Sequence, residues 1–298
     1  MRHRWRGLGS YGRAVQLGVC VRDIAVADVV GLAREAEGLG YSHLYLPEGS
    51  QIDNEARLAG RDPFVTLAAV FEATSTLIGA VGVAQAIFQR MPQLALRAGT
   101  LAEQSGGRFD LGIGVSHREI AARFEVAFPT SPLATLRHCL DELKDWRGRL
   151  RFGNDFAVLV GALGPKMVTL GAGHGDGVVL NWLTPATART TVATVKAVTG
   201  PYRKAQSVLY IRVGTAMGLR PDAIGYDQMA NYHRHFVAQG LTDPDAVVAG
   251  TCLDVDDIGA MRAAIATYDD AGIDVLCLYL HGHTPPERRR ILAAIAHR

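Results

Sequence analysis

The sequence predicts a (β/α)8 barrel of parallel strands wrapped by helices. Three observations carry that expectation. Eight apolar segments of strand length alternate with helical stretches along the 298 residues, the arrangement of a parallel α/β fold. Successive strand-plus-helix units recur at roughly the 30-residue beat of a βαβ unit. Several strands are apolar on both sides, as parallel strands covered by helices must be. No shift in composition marks a linker, so residues 1–298 are read as a single barrel domain with a lid-like excursion around 216–250. The strand count alone is also compatible with an open doubly wound sheet.

The elements follow in order. Val15-Gln16-Leu17-Gly18-Val19 alternates as a strand, Asp23 is the expected cap of the next helix, and Gly40 closes that helix. The second strand, His43-Leu44-Tyr45-Leu46, runs into Pro47-Glu48 and a polar loop extending to Asp62. Asp62-Pro63 sets a carboxylate at N-cap and a proline at N1 of a helix through Phe64, Leu67 and Phe71. The third strand spans Leu77 to Val83; the helix after Met91-Pro92 stops at Gly106-Gly107. Phe109 to Val115 and Phe156 to Val160 are the fourth and fifth strands, separated by a helix from Leu133 to Trp146. Gly164-Pro165-Lys166 opens a short helix, Gly177 to Leu180 is the sixth strand, and Thr184-Pro185 opens the next helix. Val208 to Val213 is the seventh strand. After the excursion, a helix from Asp257 to Ala271 leads to the eighth, Val275 to Leu280, and Thr284-Pro285-Pro286-Glu287 fits a capping box.

Hydrophobic residues make up 48% of the chain and charged ones 20%, the balance of a globular protein with a sizeable core. A formal net charge of +2 offers no basic field for nucleic acid. Cys20, Cys139, Cys252 and Cys277 lie far apart, without metal-finger spacing, and read as reduced thiols. No apolar run approaches the roughly 18 residues needed to span a bilayer. These features set the expectation of a cytoplasmic protein without membrane partners, its basic start from Met1 to Gly7 a solvated terminus.

Several local motifs are set aside on context. Gly7-Leu8-Gly9-Ser10-Tyr11-Gly12 satisfies GxGxxG, but it precedes the first strand, whereas a dinucleotide fingerprint joins a strand to a helix. His281-Gly282-His283 and His233-Arg234-His235 lack a matched ligand set, so no metal is expected. His281 keeps a second reading, because it follows the eighth strand, where a barrel carries its chemistry. Three segments at the C-terminal ends of strands weigh more: Gly82-Val83-Ala84, Gly112-Ile113-Gly114-Val115-Ser116-His117 and Gly161-Ala162-Leu163-Gly164-Pro165-Lys166. Glycines there let a flat ring or a phosphate approach the backbone, and the last segment offers free N–H groups at a helix N-terminus.

Together with Leu39-Gly40-Tyr41, the run from Asp62 to Ala68, Ala73-Thr74-Ser75, the run from Leu101 to Gly114 and the run from Gly175 to Pro185, these segments resemble the luciferase-like superfamily of flavin and deazaflavin oxidoreductases. The resemblance spans nearly the whole chain, and Asn181-Trp182-Leu183-Thr184-Pro185 looks like its deazaflavin branch. It implies the bacterial-luciferase-like TIM barrel and a coenzyme F420 cofactor, with FMN as the alternative. The ring would lie near Gly82, Val83, Ala84, Gly114, Val115 and Ser116, with a non-prolyl cis peptide at Gly82-Val83. The phosphate would lie near Ala162, Leu163 and Gly164, with Leu180 and Asn181 beside the cofactor side chain. A homodimer is the family habit.

Two departures bear on the chemistry. Where many members end the second strand in Asp-His, this chain has Pro47-Glu48-Gly49-Ser50, and where dehydrogenase-type members place an acidic residue after the fourth strand, it has His117. His117 becomes the first candidate proton donor and Glu48 the second. The expected function is hydride transfer between deazaflavin C5 and a small organic substrate, as a reductase of an activated double bond. An FMN-dependent monooxygenase and a non-catalytic cofactor-binding member are the alternatives. Tyr226, Met229, Tyr232, His233 and Phe236 of the excursion either roof the substrate or form a plain surface helix.

Overall fold

A computed structural model describes residues 14–49, 60–280 and 282–296. The strands are β1 (Gln16–Cys20), β2 (His43–Leu46), β3 (Ile78–Gln85), β4 (Phe109–Gly114), β5 (Ala157–Gly161), β6 (Gly177–Asn181), β7 (Gln206–Gly214), β8 (Cys252–Asp254) and β9 (Val275–Tyr279). They form one parallel sheet in the order β6-β5-β4-β3-β2-β1-β9-β7-β8. It closes where β6 also pairs with β7, Val179 opposite Val208. Eight strands thus make the barrel, and the open doubly wound alternative is excluded. The short β8 is an addition that sequence reading missed. It pairs with the C-terminal end of β7, Arg212 opposite Cys252 and Gly214 opposite Asp254.

Helices α1 (Val26–Gly38), α2 (Pro63–Ala73), α3 (Met91–Gln104), α4 (Arg118–Arg123), α5 (Pro132–Arg149), α6 (Pro165–His174) and α7 (Pro185–Thr199) follow β1 to β6. The excursion after β7 holds α8 (Ala216–Asp227), α9 (Ala230–Val237) and α10 (Pro244–Thr251); α11 (Ile258–Ala271) and α12 (Pro285–Ala296) flank β9. Proline at residue 221 reads as a boundary but lies inside α8, whose cap is Thr215. The six-residue α4 carries too few apolar positions to be seen as a period.

Local chemistry explains most of the boundaries. The Asp62 carboxylate accepts from the N–H groups of Phe64 and Val65 at 2.8 and 3.0 Å, with Pro63 opening α2. Thr184 caps α7 in the same manner, and Gly106 and Gly107 stop α3 with φ of +64° and +84°. The expectation for α1 needs correction. Its N-cap is Ala25, while Asp23 sits at φ +58° and faces Arg22 instead. The run Ala73-Thr74-Ser75 has a structural cause: Glu37 of α1 accepts from the N–H groups of Ser75, Thr76 and Leu77 and holds the turn before β3.

Two layers of core result. Outward-facing strand residues such as Val19, Leu44, Val81, Leu111 and Leu276 meet the helices. Inside the barrel Cys20, Tyr45, Ala80, Leu159, Tyr210, Cys277 and Tyr279 form a separate cluster, so the lumen is packed. No helix among the described residues is long and apolar enough to cross a membrane. Both GxGxxG at 7–12 and most of the polar loop before Asp62 lie outside the described residues.

Replacing the α2 cap, Asp62→Ala, is expected to cost about 1 kcal/mol, read as a lower midpoint in urea unfolding with an unchanged slope.

Candidate active site

The C-terminal mouth of the barrel is where the backbone departs from ordinary conformations. Four described non-glycine residues have positive φ: Asp23, Ser116, Glu125 and Trp182. Three of them, Asp23, Ser116 and Trp182, follow the ends of β1, β4 and β6 within three residues. Left-handed conformations at non-glycine positions cluster at functional sites, where surrounding structure holds them.

The peptide bond between Gly82 and Val83 is cis. The Tyr210 hydroxyl donates to the Gly82 carbonyl oxygen at 2.9 Å, and a Cβ on Gly82 would lie 1.9 Å from that hydroxyl. Val83 then points its isopropyl group over the floor of the mouth. A Cβ on Gly112 would lie 2.9 Å, on Gly114 3.0 Å and on Gly161 3.4 Å from its methyl carbons. At Gly112 a Cβ would also lie 2.5 Å from the Val81 carbonyl oxygen, so strand-end packing by Val81 and Val83 accounts for Gly112 and Gly114, while the 3.4 Å at Gly161 is ordinary contact. Val83 is itself half-buried.

His117 is the N-cap residue of α4 and half-buried. Burial holds its imidazole below its ordinary pKa of 6.5, against a smaller opposite influence from Glu119. Its Nδ1 lies 3.2 Å from the Asn231 amide nitrogen of α9, and its ring sits 5.5 Å from that of Tyr232. A neutral ring whose Nδ1 accepts from an amide carries its proton on Nε2. Glu48 is differently placed. Burial raises its pKa, and its two carboxylate oxygens accept from the Gln85 N–H at 2.6 Å and the Gln89 amide at 2.7 Å. Gln85 in turn accepts from the Ser116 hydroxyl at 2.5 Å. Glu48 therefore ties the end of β2 to β3 and, through Gln85, to the strained turn after β4.

Among the other expected cofactor contacts, Ala84, Val115, Ala162 and Leu180 turn their side chains into the outer core. The Ala162 N–H is already committed to the Val179 carbonyl at 2.9 Å. Leu163 packs into the lid cluster. Gly164 is exposed at the N-terminus of α6, which has no side-chain cap, and a Cβ there would meet nothing within 4 Å. Asn181 has both amide ends engaged. Its oxygen accepts from Arg212 at 2.7 Å and its nitrogen donates to the Tyr232 hydroxyl at 3.0 Å.

Arg212 is the residue sequence reading overlooked. At 2% exposure it donates through Nε to Asp222 at 2.9 Å and lies 3.7 Å from the Trp182 ring centroid, with Tyr226 and Tyr279 each at 4.8 Å. Burial opposes its charge, but Asp222 and the surrounding aromatic groups hold its pKa above the ordinary value. The available signal was an arginine inside the apolar run from Val208 to Val213. The Trp182 indole N–H is buried and has no hydrogen-bond partner among the described residues.

The lid is docked onto this surface. His235 Nε2 donates to the carbonyls of Asn181 and Trp182 at 3.1 and 3.0 Å, and Gln239 donates to Trp182 at 2.9 Å. Tyr232 and Phe236 are buried beneath α9, and Tyr226 and Met229 pack against the same cluster. His233 is not part of the roof; it is exposed and pairs with Asp227 at 3.0 Å. His283 contacts the Val213 carbonyl at 2.7 Å, whereas His281 lies outside the described residues. Among the described residues no group of three His, Cys, Asp or Glu side chains is placed to hold a metal.

A sequence model described as luciferase-like monooxygenase matches residues 6–222. Solved structures share the architecture over nearly the whole chain. An F420-dependent secondary alcohol dehydrogenase bound to an F420-acetone adduct superposes with a TM-score of 0.74 at 14% identity, covering 95% of this chain and 99% of that one. The coenzyme F420-dependent tetrahydromethanopterin reductase of Methanopyrus kandleri gives 0.73 at 14% identity, covering 96% and 98%. The FMN-bound oxygenating component of 3,6-diketocamphane monooxygenase from Pseudomonas putida gives 0.70 at 13% identity, covering 96% and 98%. At these identities the likeness is one of fold.

Two glycine substitutions separate packing from openness. Gly112→Ala puts a Cβ 2.5 Å from the Val81 carbonyl oxygen and is expected to lower stability by about 1–3 kcal/mol. Gly164→Ala should leave it unchanged within about 0.5 kcal/mol. Urea unfolding of both variants checks the contrast.

Proposed function

We propose, from the premise that this chain belongs to the luciferase-like monooxygenase family, that it is an F420-dependent reductase acting on a small organic substrate with a double bond activated by a carbonyl. The observation that carries the reading is the setting of His117: Nδ1 lies 3.2 Å from the Asn231 amide nitrogen and burial holds the imidazole pKa below 6.5, and from these we infer a neutral ring with its proton on Nε2. This changes the expected role of the residue from a titrating acid to a neutral hydrogen-bond donor.

The residues present fit a deazaflavin or flavin. The half-buried Val83 methyl groups would support one face of a ring, and the open, uncapped start of α6 at Gly164 and Lys166 would receive a phosphate. When bound, the deazaflavin supplies the hydride. The chain's share is orientation and electrostatics. Nε2–H of His117 would donate to the conjugated oxygen of the substrate and stabilise negative charge there without transferring its proton. Solvent supplies the proton that completes the reduction. A neutral imidazole is suited to this task because it stays a donor throughout the neutral range. The choice of F420 over FMN rests on the Asn181-Trp182-Leu183-Thr184-Pro185 segment, since the structural neighbours include both F420-dependent enzymes and an FMN-bound monooxygenase.

The test is turnover of a panel of enones and enoate esters with reduced F420, and separately with reduced FMN and oxygen. Hydride transfer from F420 without oxygen is the expected result; oxygen-dependent product formation with FMN overturns it. The pH profile checks the role of His117. Because its pKa lies below 6.5, an imidazolium acid would lose activity tenfold per pH unit above that value. A neutral donor gives a level kcat/KM from about pH 7 to 9. His117→Ala should lower kcat about 10²- to 10³-fold.

A further inference from the structure

We infer that Asn231, on the lid helix α9, is a positioning residue that sets which imidazole nitrogen of His117 carries the proton, so that the donor exists only while the lid is docked. The inference rests on the reading of His117 as a neutral donor, and its decisive measurement needs no turnover.

The placement of Asn231 is fixed by its neighbours. Tyr232, the next residue, is buried and bonded to Asn181, and one turn on, His235 donates to the carbonyls of Asn181 and Trp182. Gln239 adds bonds to Trp182 and, through its carbonyl oxygen, accepts from the Thr184 N–H at 2.9 Å. With α9 held in register on the end of β6, the Asn231 side chain reaches across the mouth to the turn after β4. There its amide nitrogen meets His117 Nδ1 at 3.2 Å. An amide N–H directed at Nδ1 is compatible only with a lone pair on that nitrogen, which leaves the proton on Nε2. The family match ends at residue 222, before α9 begins, so the contact joins His117 of the matched region to Asn231 outside it.

The charges around His117 leave the control to Asn231. In α4, Glu119 raises its pKa weakly against the larger effect of burial. From β3 and the turn after β4 come Gln85 and Ser116, which are neutral and bonded to each other. From α9 come the Tyr232 ring and, facing solvent, His233, which is paired with Asp227. Asp222 of α8 is taken up by Arg212.

The experiment is NMR of the protein carrying ¹⁵N-labelled histidine, without cofactor. Wild type is expected to show His117 as the Nε2-protonated tautomer with a pKa below 6.5. Asn231→Asp replaces a donor by an anionic acceptor, which should move the proton to Nδ1 and raise the pKa by about 1 unit or more. Asn231→Leu, which removes the hydrogen bond at similar size, should give a mixture of tautomers. Tyr232→Phe keeps the ring beside His117 and loses only the bond from Asn181; it should leave the tautomer unchanged, with a thermal midpoint recorded for all variants. An Nδ1-protonated His117 in wild type, or an unchanged tautomer and pKa in folded Asn231→Asp, overturns the inference. In turnover, Asn231→Asp should lower kcat with little change in KM. If no substrate reduction by reduced F420 is found while the NMR result holds, the proposed function fails and the tautomer control stands.

Discussion

The mouth of this barrel is organised around one close contact, the Val83 side chain set over Gly112, Gly114 and Gly161 while Tyr210 donates to the Gly82 carbonyl. The four glycines at 82, 112, 114 and 161 and the buried tyrosine form a single steric solution. Tyr210 leaves no room for a side chain at residue 82, the Val81 carbonyl and Val83 leave none at 112, and Val83 crowds 114, and in an interior packed to crystal-like density one misplaced methyl group is felt. That solution brings β3, β4 and β5 together at their C-terminal ends. It also fixes where the turn carrying Ser116 and His117 emerges. The chemistry proposed for His117 depends on this packing, although no residue of the packing takes part in it.

A second layer of organisation is polar. Asp222, Arg212, Asn181 and Tyr232 form a chain of hydrogen bonds that starts in α8, crosses the ends of β7 and β6 and finishes in α9. A buried guanidinium is tolerable because Asp222 offsets its charge and the Trp182 face receives it. Removing one partner of such a pair leaves an uncompensated charge, which costs far more than the pair contributes. This polar chain lies beside the apolar cluster of Trp182, Leu219, Tyr232, Phe236 and Val247, so the excursion is held both by directed bonds and by apolar burial.

Most of the barrel was legible from the sequence. Strand ends shifted by a residue or two, and the helix signals at Asp62, Thr184 and Gly106-Gly107 work through the side-chain and backbone chemistry that predicts them. The parts that escaped share a physical reason. Asp23 has the right residue type for a cap but is drawn to Arg22; α4 and β8 are too short for a periodicity; and α8 continues through Pro221. For the site, Ala162, Leu180 and Asn181 follow from the family resemblance alone, which does not reveal that the Ala162 N–H bonds the Val179 carbonyl or that both ends of the Asn181 amide are engaged. The partners of Arg212 and His117, Asn181 and Asn231, lie far from them in sequence, and only the closed barrel and the packed excursion bring each pair together.

The short strand β8 has an effect on how the lid can vary. Thr215, which starts the lid, follows Gly214 directly, and the chain returns as β8 with Asp254 beside that same glycine. The excursion is a long loop whose two ends are stitched to one strand. Closing such a loop costs an entropy that grows only with the logarithm of its length, so its contents can be lengthened, shortened or exchanged with little demand on barrel closure. The scaffold and its cover can thus diverge at different speeds, and a new cover inherits a ready-made seam at the rim.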